Sequence, residues 1–160
     1  MRKLGFSVLV LVMLGAAIGC DSGGDEESGP TDAEVFVGSW RLATLFLNGA
    51  DFTDIVLASA TVTIDFEAST FNITIMTDSM STIAGSYTVN DVLRRVTLTS
   101  SDFTNPVPLD YTINSENQIT METRDAALFI GLTGIDPATL GGLVIEEVGL
   151  VVQRTAITTF

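Results

Sequence analysis

From Val35 onward the chain breaks into short runs in which apolar and polar residues alternate, and most of the breaks are turn-sized. A period of two is the period of a strand whose successive side chains point to opposite faces. "SATVTIDFE" sets Val62, Ile64 and Phe66 against Thr61, Thr63 and Asp65, and "TFNITIMT" sets Phe71, Ile73 and Ile75 against Asn72, Thr74 and Met76. "TIAGSYTV" places Ile83, Gly85, Tyr87 and Val89 on one face, and "VLRRVTLT" continues it with Val96 and Leu98. "PLDYTIN" and "QITMETR" follow with Leu109, Tyr111, Ile113, then Ile119, Met121 and Thr123. Counting Ser39–Leu47 at the start and the long run from Gly142 at the end gives eight strands. The connections "EAS", "DSMS", "ND" and "NSEN" are of hairpin size. One face buried and one wet is the mark of antiparallel pairing. The fold class predicted is all-β, an eight-stranded antiparallel up-and-down β-barrel with short helical or loop insertions. A two-sheet sandwich has the same hairpin count and stays open at this point.

Two segments interrupt the meander. "NGADFTDIVLASA" is predicted to form a short helix over one barrel mouth. "DAALFIGLTGIDPATLGG" is long, apolar and broken by glycines, with Asp136 and Pro137 placed to start a short helix. A connection of that length and greasiness must cover something. The stretch Ala126–Leu140 reads as a plug of the barrel end, as a lid over a cavity, or as a surface for a partner.

The first twenty residues are of another kind. Arg2 and Lys3 precede an apolar run from Leu4 to Ile18, which ends in Gly19-Cys20. The run is shorter than the ~20 residues a spanning helix needs, and its charged start and small-residue end are those of a secretory signal. "AIGC" resembles the lipobox of bacterial lipoproteins, with Ala17 where that family usually has leucine. The resemblance implies cleavage before Cys20, acylation of its thiol and attachment to a lipid bilayer. The alternative is an ordinary signal peptide with a chance cysteine. Residues 1–19 are thus read as a lipoprotein signal peptide, 20–34 as lipidated Cys20 and a disordered acidic tether, and 35–160 as the barrel domain. "DSGGDEESGPTDAE" supports the tether: it has six acids and only Ala33 as an apolar side chain. An aspartate after the cysteine resembles an inner-membrane retention signal, whereas Asp25-Glu26-Glu27 resembles export signals to the outer surface. The membrane leaflet therefore stays open, and the location expected is the cell envelope.

Charge and missing residue types exclude whole classes of function. The chain has 20 acidic and 7 basic residues and a formal net charge of −13. That excludes nucleic acid as a partner and disfavours anionic lipid. There is no histidine, and Lys3 is the one lysine. Ser-His-Asp and Cys-His catalysis, Schiff-base lysines and the usual zinc ligands are absent from such a chain. Asp65, Asp110 and Glu122 fall on the wet phase of their strands, and the acidic run lacks the spacing of a calcium loop. No catalytic residue, no metal site and no cofactor is expected. The acidic composition, lysine-free beyond the signal segment, reads equally as adaptation to high salt or as an ordinary acidic exported protein.

Gly38-Ser39-Trp40 opens the first strand, and Arg154 ends the last. Gly-x-Trp at the head of an eight-strand meander, with a terminal arginine, resembles the lipocalin family (calycins), most closely its compact bacterial forms on lipoproteins. The resemblance covers Val35 to Arg154 and implies that Arg154 stacks on Trp40 to close one end of the barrel. The domain is short, has no long helix after the last strand and has no disulfide. Avidin and fatty-acid-binding barrels are related, and a META-type envelope domain also opens near "G-x-W-x-L", although its Cys-Asn motif is missing. The function implied is binding or carrying a small hydrophobic ligand. The cavity wall would come from the phase of Trp40: Leu42, Phe46, Ile64, Phe66, Ile73, Ile75, Tyr87, Tyr111 and Met121. The alternative is a non-enzymatic structural or protein-interaction module with a filled barrel.

Overall fold

The computed structural model describes residues 30–134 and 144–155. A short helix α1 (Asp32–Phe36) leads into β1 (Gly38–Leu47), the two-residue β2 (Ala50–Asp51), helix α2 (Thr53–Leu57) and β3 (Thr61–Phe66). Then come β4 (Thr70–Met76), β5 (Met80–Asn90), β6 (Arg95–Ser100), β7 (Val107–Ser115) and β8 (Gln118–Thr123). Helix α3 (Ala126–Thr133) and β9 (Val148–Arg154) complete the order. β1 pairs antiparallel with both β2 and β3, each strand from β3 to β8 pairs antiparallel with the next, and β1 also pairs with β9, from Trp40↔Arg154 to Leu47↔Val148. That last pairing closes the sheet. The result is an eight-stranded up-and-down barrel, with β2 as a small extension of β1, and the sandwich alternative is excluded.

Strand direction sorts the connections between the two ends. β1 starts and β9 finishes at the end holding α1, called the closed end here. The β3–β4, β5–β6 and β7–β8 turns return to that end. The β4–β5 turn, α2 and α3 lie at the other.

Inward residues follow the alternation read from the sequence, with one break. In β1 the partners run Leu42↔Val152 and then Thr44↔Val151, so Ala43 is an extra residue. Such a bulge shifts every later side chain to the opposite face. Leu45 and Leu47 therefore point inward and are buried, and Phe46 is turned to the outer wall, half-buried against Gly149. Placing Phe46 in the interior is thus corrected. The bulge is held by the α2 region: Leu45 N–H donates to Thr53 Oγ1 at 3.0 Å, and Phe52 N–H donates to the Leu45 carbonyl at 2.9 Å.

Three further expectations shift. The acidic tether does not run as far as Glu34, because α1 begins inside it. Thr31 Oγ1 accepts from Glu34 N–H, and the Glu34 carboxylate accepts from Thr31 N–H at 2.7 Å. This capping box satisfies two free donors of a five-residue helix, and the Thr31 bonds hold the Glu34 carboxyl below its ordinary range. The last strand begins at Val148, not near Gly142. Before it, the Asn48 side chain pins the chain, accepting from Glu146 and Glu147 N–H at 2.8 and 3.0 Å and donating to the Val144 carbonyl at 2.8 Å. Finally, the greasy connection carries its helix at Ala126–Thr133, capped by Asp125 and ended by Gly134 in the left-handed conformation. The helix expected at Asp136-Pro137 lies outside the described residues.

Candidate functional site

The closed end is built on Gly38, Trp40 and Arg154. Trp40 is fully buried, and its indole N–H donates to the Phe36 carbonyl at 2.7 Å. The Arg154 guanidinium lies over the indole, with Cζ 4.5 Å from the ring centroid. Its nitrogens donate to three main-chain carbonyls: Nη2 to Val35 at 2.7 Å, Nη1 to Val37 at 3.0 Å and Nε to Glu116 at 3.0 Å. A short helix leaves its last carbonyls without partners. Here Trp40 and Arg154 supply donors to those at the end of α1. Gly38 makes this possible twice over. Its φ of +134° suits only glycine, and a Cβ there would come within 2.7 Å of Arg154 Nη1.

Helix α1 is the plug of this end. Phe36 is fully buried and meets Phe66 and Tyr111 edge-on, at centroid distances of 5.4 and 4.9 Å. Phe66 meets Tyr87 in the same way at 4.9 Å. The two tyrosine hydroxyls leave the apolar cluster through hydrogen bonds: Tyr87 donates to the Glu67 carbonyl at 2.8 Å and Tyr111 to Asp32 Oδ2 at 2.7 Å. Asp32 also pairs with Arg94 at 2.6 Å. Burial raises the Tyr87 phenol above its ordinary value, and burial together with the neighbouring Asp32 raises Tyr111 further.

The residues named as a cavity wall do come together, except Phe46. Leu42, Ile64, Phe66, Ile73, Ile75, Tyr87, Tyr111 and Met121 all face the barrel interior, each 7% exposed or less. A side chain bordering a void wide enough for water would show surface to it, and these show almost none. Val62, Phe71, Leu98, Leu109, Ile119, Leu150 and Val152 fill the spaces between them. At the open end Leu128, Phe129 and Leu132 of α3 are buried in the same core, as is Val56 of α2. α3 seats closely: a Cβ on Gly131 would stand 3.0 Å from Ile83 Cδ1 and 3.4 Å from Phe103 Cε1.

Clefts do form along the outer wall. One of about 370 Å³ is lined by Arg95, Pro108, Asp110, Glu122, Thr123, Arg124 and Glu147, and there Arg95 holds Asp110 at 2.7 Å. Another of about 770 Å³ runs past Ser39, Asp65, Asn72 and Ala84 near the closed end, where the Ser39 hydroxyl donates to Asp65. Among the described residues no three histidine, cysteine, aspartate or glutamate side chains cluster to hold a metal. Cys20 lies outside the described residues.

Sequence reasoning missed the α1 plug and its Phe36, Asp32 and Thr31. The signal was present as Thr31-Asp32-Ala33-Glu34, the S/T-x-x-E pattern of a capping box. The closed antiparallel barrel is consistent with a lipocalin-like fold. No known family model matches the chain, and no curated protein matches it in sequence.

Proposed function

We propose that this chain is a lipid-anchored protein of the cell envelope whose barrel is a filled, non-enzymatic structural or interaction module. The observation that supports the filled-barrel reading is the packing of the interior. Its side chains are buried from wall to wall, with α1 covering one mouth and α3 the other. A carrier pocket for a small molecule is a concave space of some 300–1,000 Å³. The interior-facing residues of this barrel are packed against one another instead. An eight-stranded barrel is of the size its own side chains can fill. The anchoring part of the proposal rests on Arg2, Lys3, the apolar Leu4–Ile18 run and Cys20. The non-enzymatic part rests on a composition with no histidine, one lysine and one cysteine.

A second reading, carriage of a small apolar ligand, draws on α3. This helix contributes three large buried side chains to the core and, with α2, stands outside the strand ladder at the open end. Its withdrawal would open a site between Ile83 and Phe103. One titration separates the two readings. Trp40 emission and calorimetric heat are followed as fatty acids and other apolar molecules are added. The filled barrel gives flat responses across the panel; saturable binding with one molecule per chain replaces it with the carrier. For the anchor, Cys20→Ser is expected to move the protein from the membrane to the soluble fraction. Unchanged fractionation rejects lipidation.

A further inference from the structure

The β5–β6 turn opens on Asn90-Asp91 and then carries two residues foreign to hairpin tips. Such tips favour glycine, asparagine, aspartate and serine, and the β3–β4 and β7–β8 turns beside it have Glu67-Ala68-Ser69 and Glu116-Asn117. The β5–β6 tip instead presents Val92 and Leu93, which are 92% and 62% exposed. No other large hydrophobic among the described residues is as bare as Val92.

The tip is held firmly and held to one place. Asn90 Oδ1 accepts from Leu93 N–H at 2.9 Å, and the Arg94 carbonyl accepts from Tyr111 N–H at 2.8 Å. The Arg94 side chain then grips Asp32 of α1, the helix through which the chain enters the barrel. Val92 and Leu93 therefore stand at the end from which the N-terminal segment departs. Cys20 and Pro30 are only ten positions apart, a reach of at most about 35 Å. Whatever fixes Cys20 to a bilayer keeps this end of the barrel within about 35 Å of its surface.

We infer that Val92 and Leu93 form a second membrane contact, dipping into the interfacial layer of an electrically neutral phospholipid bilayer. This rests on the anchoring reading above. The net charge of −13, with Glu34, Glu67, Asp91 and Glu116 at this end, sets the lipid class. Anionic headgroups would be repelled, and an apolar contact with zwitterionic lipid meets no such opposition. Two side chains are too few to recruit a free protein. On a tethered one they act at the high local concentration that the tether imposes. Their effect is orientation: the closed end faces the bilayer, and α2 and α3 face away from it.

The test links the chain that begins at Cys20, through that residue's thiol, the one it holds, to maleimide-bearing lipid in phosphatidylcholine vesicles and follows amide hydrogen exchange. Amides of Asp91–Arg94 should slow by about tenfold on the vesicles, and those of Thr77–Ser79 at the opposite end should not change. The double substitution Val92→Asp, Leu93→Asp should remove the slowing. Equal rates on and off the vesicles, with coupling verified by mass, overturn the proposal. So does slowing that grows with protein concentration in the absence of lipid, because a second copy then covers the tip. Chemical linkage makes this result independent of acylation in cells. The mass of the Cys20 peptide from membranes decides that separately, and an unmodified thiol there removes the natural anchor, not the measured contact.

Discussion

Arg154 lies across the face of Trp40, and its hydrogen bonds to Val35, Val37 and Glu116 all go to main-chain carbonyls. The residue thus joins the last strand to the first, to the plug helix and to the β7–β8 turn. Its role is set by the planar, forked geometry of guanidinium more than by its charge. Arg154→Ala should lower stability by about 2–3 kcal/mol, through the lost stacking and the carbonyls left to water. Arg154→Lys should recover only a minor part, because an ammonium cannot span three carbonyls while lying flat on the indole. Urea unfolding of the three proteins measures this. Equal stability of the lysine variant and the parent would reduce Arg154 to a point charge.

Gly38 should be as intolerant as Arg154. An alanine there meets an unfavourable backbone conformation, worth about 1–3 kcal/mol, and pushes Arg154 off its carbonyls. Gly38→Ala and Arg154→Ala should consequently be less than additive, since the first already undoes the contacts removed by the second. A double-mutant cycle by chemical unfolding checks the coupling. Full additivity would mean that Gly38 acts through its backbone alone.

The β1 bulge predicts a reversal of ordinary expectation about two neighbours. Leu45→Ala should destabilise by about 2–5 kcal/mol, because it opens a cavity in the packed interior. Phe46→Ala should lose less despite its larger side chain, because Phe46 lies half-buried on the outer wall over Gly149. Comparison of their urea midpoints decides which phase faces inward. A larger loss for Phe46 would place the bulge elsewhere.

That reversal also marks where sequence reading stops. Strict alternation from Thr61 to Phe66 and from Thr70 to Met76 made β3 and β4 legible, and Gly38, Trp40 and Arg154 marked the closure. Phe46 was misplaced because Leu45, Phe46 and Leu47 are apolar on both phases, which hides the break a bulge makes in the alternation. Its cause is a long-range bond, from Leu45 to Thr53, that only the folded chain makes. Val148 was blurred as a strand start for a related reason. The residues before it look strand-like, yet Asn48, nearly a hundred positions earlier, takes up backbone groups of Val144, Glu146 and Glu147. The α1 plug was hidden by the acidity of its own capping box, which read as tether.

Composition gives a prediction on salt. The chain holds 20 acidic against 7 basic residues, and two ion pairs, Arg94–Asp32 and Arg95–Asp110, form among the described residues. Self-repulsion among the remaining carboxylates destabilises the compact state, and added salt screens it. The thermal midpoint should therefore rise between low and molar sodium chloride. A midpoint that does not change removes the case for selection at high salt.

Tyr111 makes the alkaline limit of stability predictable. Its phenol is buried against Phe36 and donates to Asp32, so the folded protein holds that proton more tightly than the unfolded chain does, for which the ordinary value is 10.0. The stabilisation is complete below pH 10. Above it the unfolded state loses the proton first, the native state binds more protons, and stability falls as pH rises. Tyr87, raised in the same direction by burial, adds to the slope. Tyr111→Phe should cost about 1 kcal/mol near neutrality through the lost hydrogen bond and should flatten the decline above pH 10. Urea midpoints from pH 7 to 11.5 test both parts. A variant that declines as steeply as the parent would show that the Tyr111 proton is not what ties helix α1 to the barrel.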